Sequence, residues 1–215
     1  MRWLDKAARK LRWLAIPYLM FWVSGLMMVV FVATWLFPDV QVSSLLSLNW
    51  DRILEGQIWR IVTFVFVPND SNPFWFLIGI YFYCLIGNGL ERQWGSCRFT
   101  LFYLTGVLGA ILASLFTGYG TNTFLNLSLF LAFASLYPNY PVMVFFVLPV
   151  KMKYLAALDV LLLIYSFVIG SWTDRASILF SLLPILLFFG GDLLRYLREQ
   201  AGYWKTRRNF RKNMR

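Results

Sequence analysis

Of 215 residues, 60% are hydrophobic, 20% aromatic and only 14% charged, whereas a water-soluble domain carries about 25% charged residues. That excludes an ordinary soluble enzyme and leaves a single polytopic membrane bundle. The formal charge of +10 does not point to nucleic acid, because Lys and Arg gather at the two ends and in short turns between apolar runs, the pattern that orients membrane helices.

Residues 1–16 place Leu4, Ala7, Ala8, Leu11 and Leu14 on one helical face and Arg2, Lys6, Arg9 and Arg12 around the other. This predicts an amphipathic helix lying on the cytoplasmic leaflet. The apolar run that follows is too long, and lacks the small residues of a cleavage site, for a signal peptide. No charge interrupts residues 17–37, which would reach about 31 Å as a helix and cross a bilayer core.

Residues 38–73 form a long amphipathic connection suited to the interface, with Ile53, Leu54, Ile58, Trp59, Ile61, Phe64 and Phe66 among scattered acids. One Asn-x-Ser match at Asn69 is weak support for glycosylation. A second membrane helix is expected from Phe74 to Leu90 and a third from Phe99 to Thr117, separated by a nine-residue polar turn at 90–98 with Trp94 at headgroup depth. Gly106, Gly109, Ala110 and Ala113 give the third helix a small-residue face for close packing.

The fourth helix, residues 122–137, would reach only about 24 Å, less than the hydrocarbon thickness. Its glycine-containing entry therefore needs shelter from lipid, which predicts a central position and local thinning of the bilayer. An apolar run beginning after Pro141 leads to Lys151 and Lys153; a fifth helix spans 152–170 and a sixth 175–194. The expected organisation is an interfacial helix at 1–16, a membrane domain at 17–194 and a basic cytoplasmic tail at 195–215. With both termini inside, 17 of the 20 Lys and Arg residues lie in cytoplasmic segments, so the fold class is an all-α, six-helix polytopic bundle, N-in and C-in.

Hydrolysis within a membrane needs a nucleophile with a base, or a metal with an open coordination position. The chain contains no histidine, so no His-based triad and no HExxH zinc site can be written, and no metal or other cofactor is expected. All six lysines belong to cytoplasmic segments, which removes a Ser–Lys pair. Asp159 is the one ionisable residue well inside a predicted helix. It is a functional candidate by position, but a carboxylate reaching water, Lys153 or a backbone N–H accounts for it more simply.

Trp59-Arg60 within Gln57–Phe64, the hairpin segment Gly87–Ser96 with Glu91, Arg92 and Trp94, and Leu131–Ala134, Tyr137–Asn139 and Val147–Lys151 resemble motifs of the rhomboid superfamily in their proper order. The resemblance covers about residues 45–195. It implies a protease site built on Gly-x-Ser-Gly at the start of helix four, a histidine on helix six and oxyanion donors on helix two. Those positions fall here on Thr123, or on Ser128 in an alternative register, and on Trp75 and Gly79, while helix six offers Leu, Pro and Phe. The resemblance thus implies a rhomboid pseudoprotease, like derlins in lacking the catalytic dyad, with membrane-protein clients or transmembrane segments as partners beside the lipid bilayer. An intramembrane Ser/Thr protease with unorthodox residues is the enzyme alternative; a transporter fits less well because buried ionisable groups are scarce. Trp59, Arg60, Glu91, Arg92 and Trp94 are read as interfacial anchors, with Glu91 pairing Arg92 or Arg98 to cap the turn. Short loops and the lack of a soluble domain suggest a bacterial plasma membrane, with the endoplasmic reticulum as the alternative.

Overall fold

The computed structural model of the chain describes residues 15–144 and 148–188. The interfacial helix expected at 1–16 falls almost wholly outside these residues. So do the basic tail at 195–215, Asp192 and the last turns of the sixth helix.

The first membrane helix, α1, is Leu19–Leu36. It starts after Pro17, with Tyr18 in the left-handed region (φ 54°), and ends next to Pro38, whose ring disfavours helical backbone in the residue before it. The amphipathic connection then folds into short pieces: α2 (Val42–Leu46), strand β1 (Leu48–Asn49), α3 (Trp50–Leu54), α4 (Arg60–Thr63) and a 3-10 turn (Phe64–Phe66). The second helix, α5, is Pro73–Trp94, with the Asn72 side chain accepting the Phe74 N–H at 3.0 Å and Pro73 opening the first turn.

The expected nine-residue turn does not exist. Residues 91–94 continue α5, and Gly95 alone (φ 82°) separates it from α6, Ser96–Thr117. The polar residues there need no break in the helix. Twenty-two residues reach about 33 Å, close to the thickness of a hydrocarbon core, and Arg92 and Gln93 in the last turn are exposed.

Gly118 (φ 81°) caps α6. Strand β2 (Tyr119–Gly120) then pairs antiparallel with β1, Leu48 opposite Gly120 and Asn49 opposite Tyr119. The fourth expected helix, α7, is Thr123–Leu136, 14 residues long and about 21 Å in reach. Leu125, Ser128, Leu129, Ala132, Phe133 and Ala134 are all buried, so the short helix is central, as its length requires.

A second correction concerns residues 141–151. In place of an all-α connection, Pro141–Val144 (β3) pairs antiparallel with Leu148–Lys151 (β4). Pro141 and Pro149 lack the N–H a helix needs, and the valines between them favour extended backbone. The fifth helix, α8, is Met152–Ile169 and the sixth begins as α9, Trp172–Ser181. It starts earlier than residue 175, and Leu182 interrupts it before helical backbone resumes at 183–188. Pro184 explains the break, since it cannot donate to the carbonyl of Phe180.

That carbonyl meets the small-residue face of α6. A side chain at Gly109 would place its Cβ 2.6 Å from the Phe180 oxygen, so the two backbones touch only because residue 109 is glycine. Gly106 likewise faces Leu125 and Pro184. Four helices, α1, α5, α6 and α8, are long and apolar enough to cross a membrane, and α7 is a shorter apolar helix.

Candidate functional site

The start of α7, where the nucleophile motif would fall, is fixed to the connection at residues 38–72 by polar side chains. Asn122 is buried, and its amide nitrogen donates to the carbonyls of Val65 (3.1 Å) and Val67 (2.8 Å). Both hydrogens of the amide are spent on backbone that would otherwise lack partners. Nearby, the Trp50 indole donates to Ser114 Oγ at 2.8 Å and the Trp50 N–H to the Gly118 carbonyl at 2.9 Å. Gly120 has no room for a side chain, because its Cβ would lie 2.6 Å from Leu48 Cδ2. Connection, hairpin and helix start thus form one interlocked unit.

Of the two nucleophile registers, neither side chain is presented as an attacking group. Thr123 is exposed on the first turn of α7. Ser128 is buried and donates its hydroxyl to the Leu125 carbonyl at 2.7 Å, a bond closed within its own helix. Trp75 is half exposed on α5, and Gly79 faces open space, with no atom within 4 Å of where a Cβ would sit. Among the described residues no group of three His, Cys, Asp or Glu side chains could hold a metal.

Asp159 lies half-buried on α8 and forms no ion pair with Lys153, whose ammonium sits 5.1 Å from the centre of the Tyr154 ring.

The motif residues divide by what they touch. Trp59 is exposed, as an interfacial anchor should be. Arg60 is buried at 4% exposure and holds this connection from within: Nε donates to Gln57 Oε1 (2.8 Å), and one terminal nitrogen to the carbonyls of Ser44 (2.7 Å) and Ser47 (2.9 Å). A planar guanidinium can reach three acceptors on three sides of a turn, which an ammonium does less well.

Glu91 does cap the α5–α6 junction, though through hydrogen bonds in place of the expected arginine pair. Its Oε1 accepts Ser96 Oγ at 2.6 Å and the Tyr18 N–H at 3.0 Å, joining the start of α1 to the hairpin. Arg92 points outwards. Trp94, expected at headgroup depth, packs against Phe102 (5.4 Å between ring centres) and Phe188 (6.1 Å). With α5 unbroken through residue 94, helical geometry turns the indole into the bundle.

Sequence reasoning passed over Asn122 as the filler position of a degenerate motif. The available signal was its residue type: an amide next to an apolar helix must find partners or be costly.

Residues 20–200 match a family described as eukaryotic integral membrane protein (DUF1751). The eukaryotic description overturns the expectation of a bacterial plasma membrane, which rested on short loops. A bundle that buries its polar backbone within itself needs no soluble domain in any cell. No curated protein matches the chain. With all but the first residue of α1, and α2 through α9, inside the matched span, the chain belongs to the DUF1751 family of eukaryotic integral membrane proteins.

Proposed function

We propose that this chain is a catalytically inactive rhomboid-like membrane protein, six-helical with both termini cytoplasmic, that binds transmembrane segments of other membrane proteins laterally near α7. The observation that carries it is how the helix-four start uses its polar groups. The Asn122 amide is consumed by the Val65 and Val67 carbonyls and the Ser128 hydroxyl by Leu125, in a chain without histidine. Among the described residues, no hydrogen bond joins Thr123 or Ser128 to a side chain that could take a proton from an attacking hydroxyl.

The binding half of the reading draws support from α7 itself. At about 21 Å it falls short of a hydrocarbon core of about 30 Å, so lipid beside it thins or a partner's helix covers the mismatch. The positions of Lys and Arg support the orientation.

Two measurements separate the halves. A reporter membrane protein co-expressed with the chain stays intact, and Thr123→Ala and Ser128→Ala leave that result unchanged; cleavage lost on either substitution reinstates an enzyme. Photocrosslinkers placed at Thr123 and Trp75 capture membrane proteins from native membranes, and capture of lipid alone removes the client-binding role.

A further inference from the structure

A groove of about 620 Å3 runs between α7, α8 and the helical turns at 183–188. Ala134, Ala157, Val160 and Ile185 line it, and Lys153 is its one charged residue. The Ser135 hydroxyl on the wall is already spent on the Leu131 carbonyl at 2.8 Å. The groove stays open for a local reason. Most large side chains of α8, such as Leu158, Leu161 and Tyr165, face outwards, and the alanine at the groove is too small to fill it.

Lys153 stands at the end of α8 that enters the membrane, held there by its N–H on the Pro138 carbonyl at 3.0 Å. Among the described residues its ammonium makes no ion pair and has only the Tyr154 ring beside it, 5.1 Å from the ring centre. Asp159, the one acid on the same helix, lies six residues on, at about 240° around the helix axis, and does not line the groove. In the proposed membrane orientation a positive charge therefore caps the headgroup end of an apolar slot.

We propose that this groove holds an acyl chain of an anionic phospholipid, whose phosphate rests on the Lys153 ammonium. Such a lipid matches both halves: the chain needs no polar partner, and the phosphate supplies the charge that Lys153 lacks. A partner's helix would cover the apolar walls and leave the ammonium unmatched; a neutral lipid would gain nothing from it. Basic pockets between membrane helices on the cytoplasmic side bind anionic headgroups in this way. The inference rests on the cytoplasmic placement of the 138–153 side, and not on the loss of catalysis.

The test uses the purified full chain in nanodiscs of phosphatidylcholine containing a few mol per cent phosphatidylserine, with retained lipid counted by native mass spectrometry after release into detergent. Phosphatidylserine is retained above its share of the disc. Lys153→Gln reduces that preference about fivefold, and Ala157→Phe removes retention of both lipids. Val160→Phe replaces the latter if Ala157→Phe lowers the unfolding temperature.

Retention in proportion to disc composition overturns the proposal, as does a Lys153→Gln preference equal to the parent's or full retention with the groove blocked. A photocrosslinker at Ala157 that captures a protein in native membranes also overturns it. No client is present in the nanodisc, so failure here leaves lateral client binding standing, and failure of client capture at Thr123 leaves the lipid site standing.

Discussion

A buried primary amide is tolerated only when both of its hydrogens are used, and Asn122 uses both across more than fifty residues of sequence. Asn122→Leu keeps the volume and strands two backbone carbonyls. We expect a loss of about 1–3 kcal/mol, read as a lower unfolding temperature in detergent, with faster proteolysis of the outer connection between residues 38 and 72. Asn122→Asp should be at least as damaging, because a carboxylate would face two carbonyl oxygens without a proton to offer. Ser128→Ala is the contrast. It removes a hydroxyl bonded within its own helix, and the Leu125 carbonyl stays within that helix's backbone ladder, so stability should change by less than about 1 kcal/mol. At the same scale Arg60 was legible as an anchor in the sequence, but its direction was not. Interfacial composition left the guanidinium a choice of lipid phosphate or backbone carbonyls, and folding of the connection gave it the carbonyls of Ser44 and Ser47.

Contact between α6 and α9 depends on a coincidence of two residues from different elements. Pro184 deprives the Phe180 carbonyl of a helical donor, and Gly109 lets that carbonyl approach the neighbouring backbone. Gly109→Ala should therefore destabilise by about 1–3 kcal/mol through overpacking. Gly79→Ala, also mid-helix but with open space around it, should be neutral or stabilise by about 1 kcal/mol at most. In the Pro184→Ala background the Phe180 carbonyl regains a helical partner and can withdraw. The Gly109→Ala penalty should shrink there, an interaction readable from a double-mutant cycle of unfolding midpoints. Equal penalties in both backgrounds would show that the freed carbonyl plays no part. The small-residue face itself was visible in Gly106, Gly109, Ala110 and Ala113; the partner it served was not, since spacing names a face and not what meets it.

For the molecule as a whole, the orientation inferred from Lys and Arg makes a simple forecast. In a background lacking Cys84 and Cys97, cysteines at Tyr119 and Met143, both exposed, should react with a membrane-impermeant maleimide from opposite sides. Met143→Cys is labelled only when the cytoplasmic face is open, and Tyr119→Cys only from the other. Labelling of both from one side would invert or break the topology. The same arrangement puts the interlocked β1–β2, Trp50 and Asn122 unit on the outer side, and the Glu91 junction and the Lys153 groove on the inner one. Lateral clients and lipid would then meet different faces of α7.

By itself the sequence determined the solvent. Apolar runs of about 20 residues set the helices and their order, because a bilayer imposes one length on every crossing and one location on every charge. It also fixed what chemistry is missing, since a chain without histidine cannot acquire it by folding. Only the tertiary structure decided where polar runs become turns. Residues 91–94 stay helical up to Gly95, where the chain turns, and residues 141–151 form a hairpin in which Pro141 and Pro149 withhold the N–H a helix would need. It alone also decided which polar side chains are structural. Hydrogen-bond partners such as Asn122 with Val67, or Glu91 with Tyr18, lie 55 and 73 residues apart in the chain, and no local pattern records a pairing that depends on how helices pack.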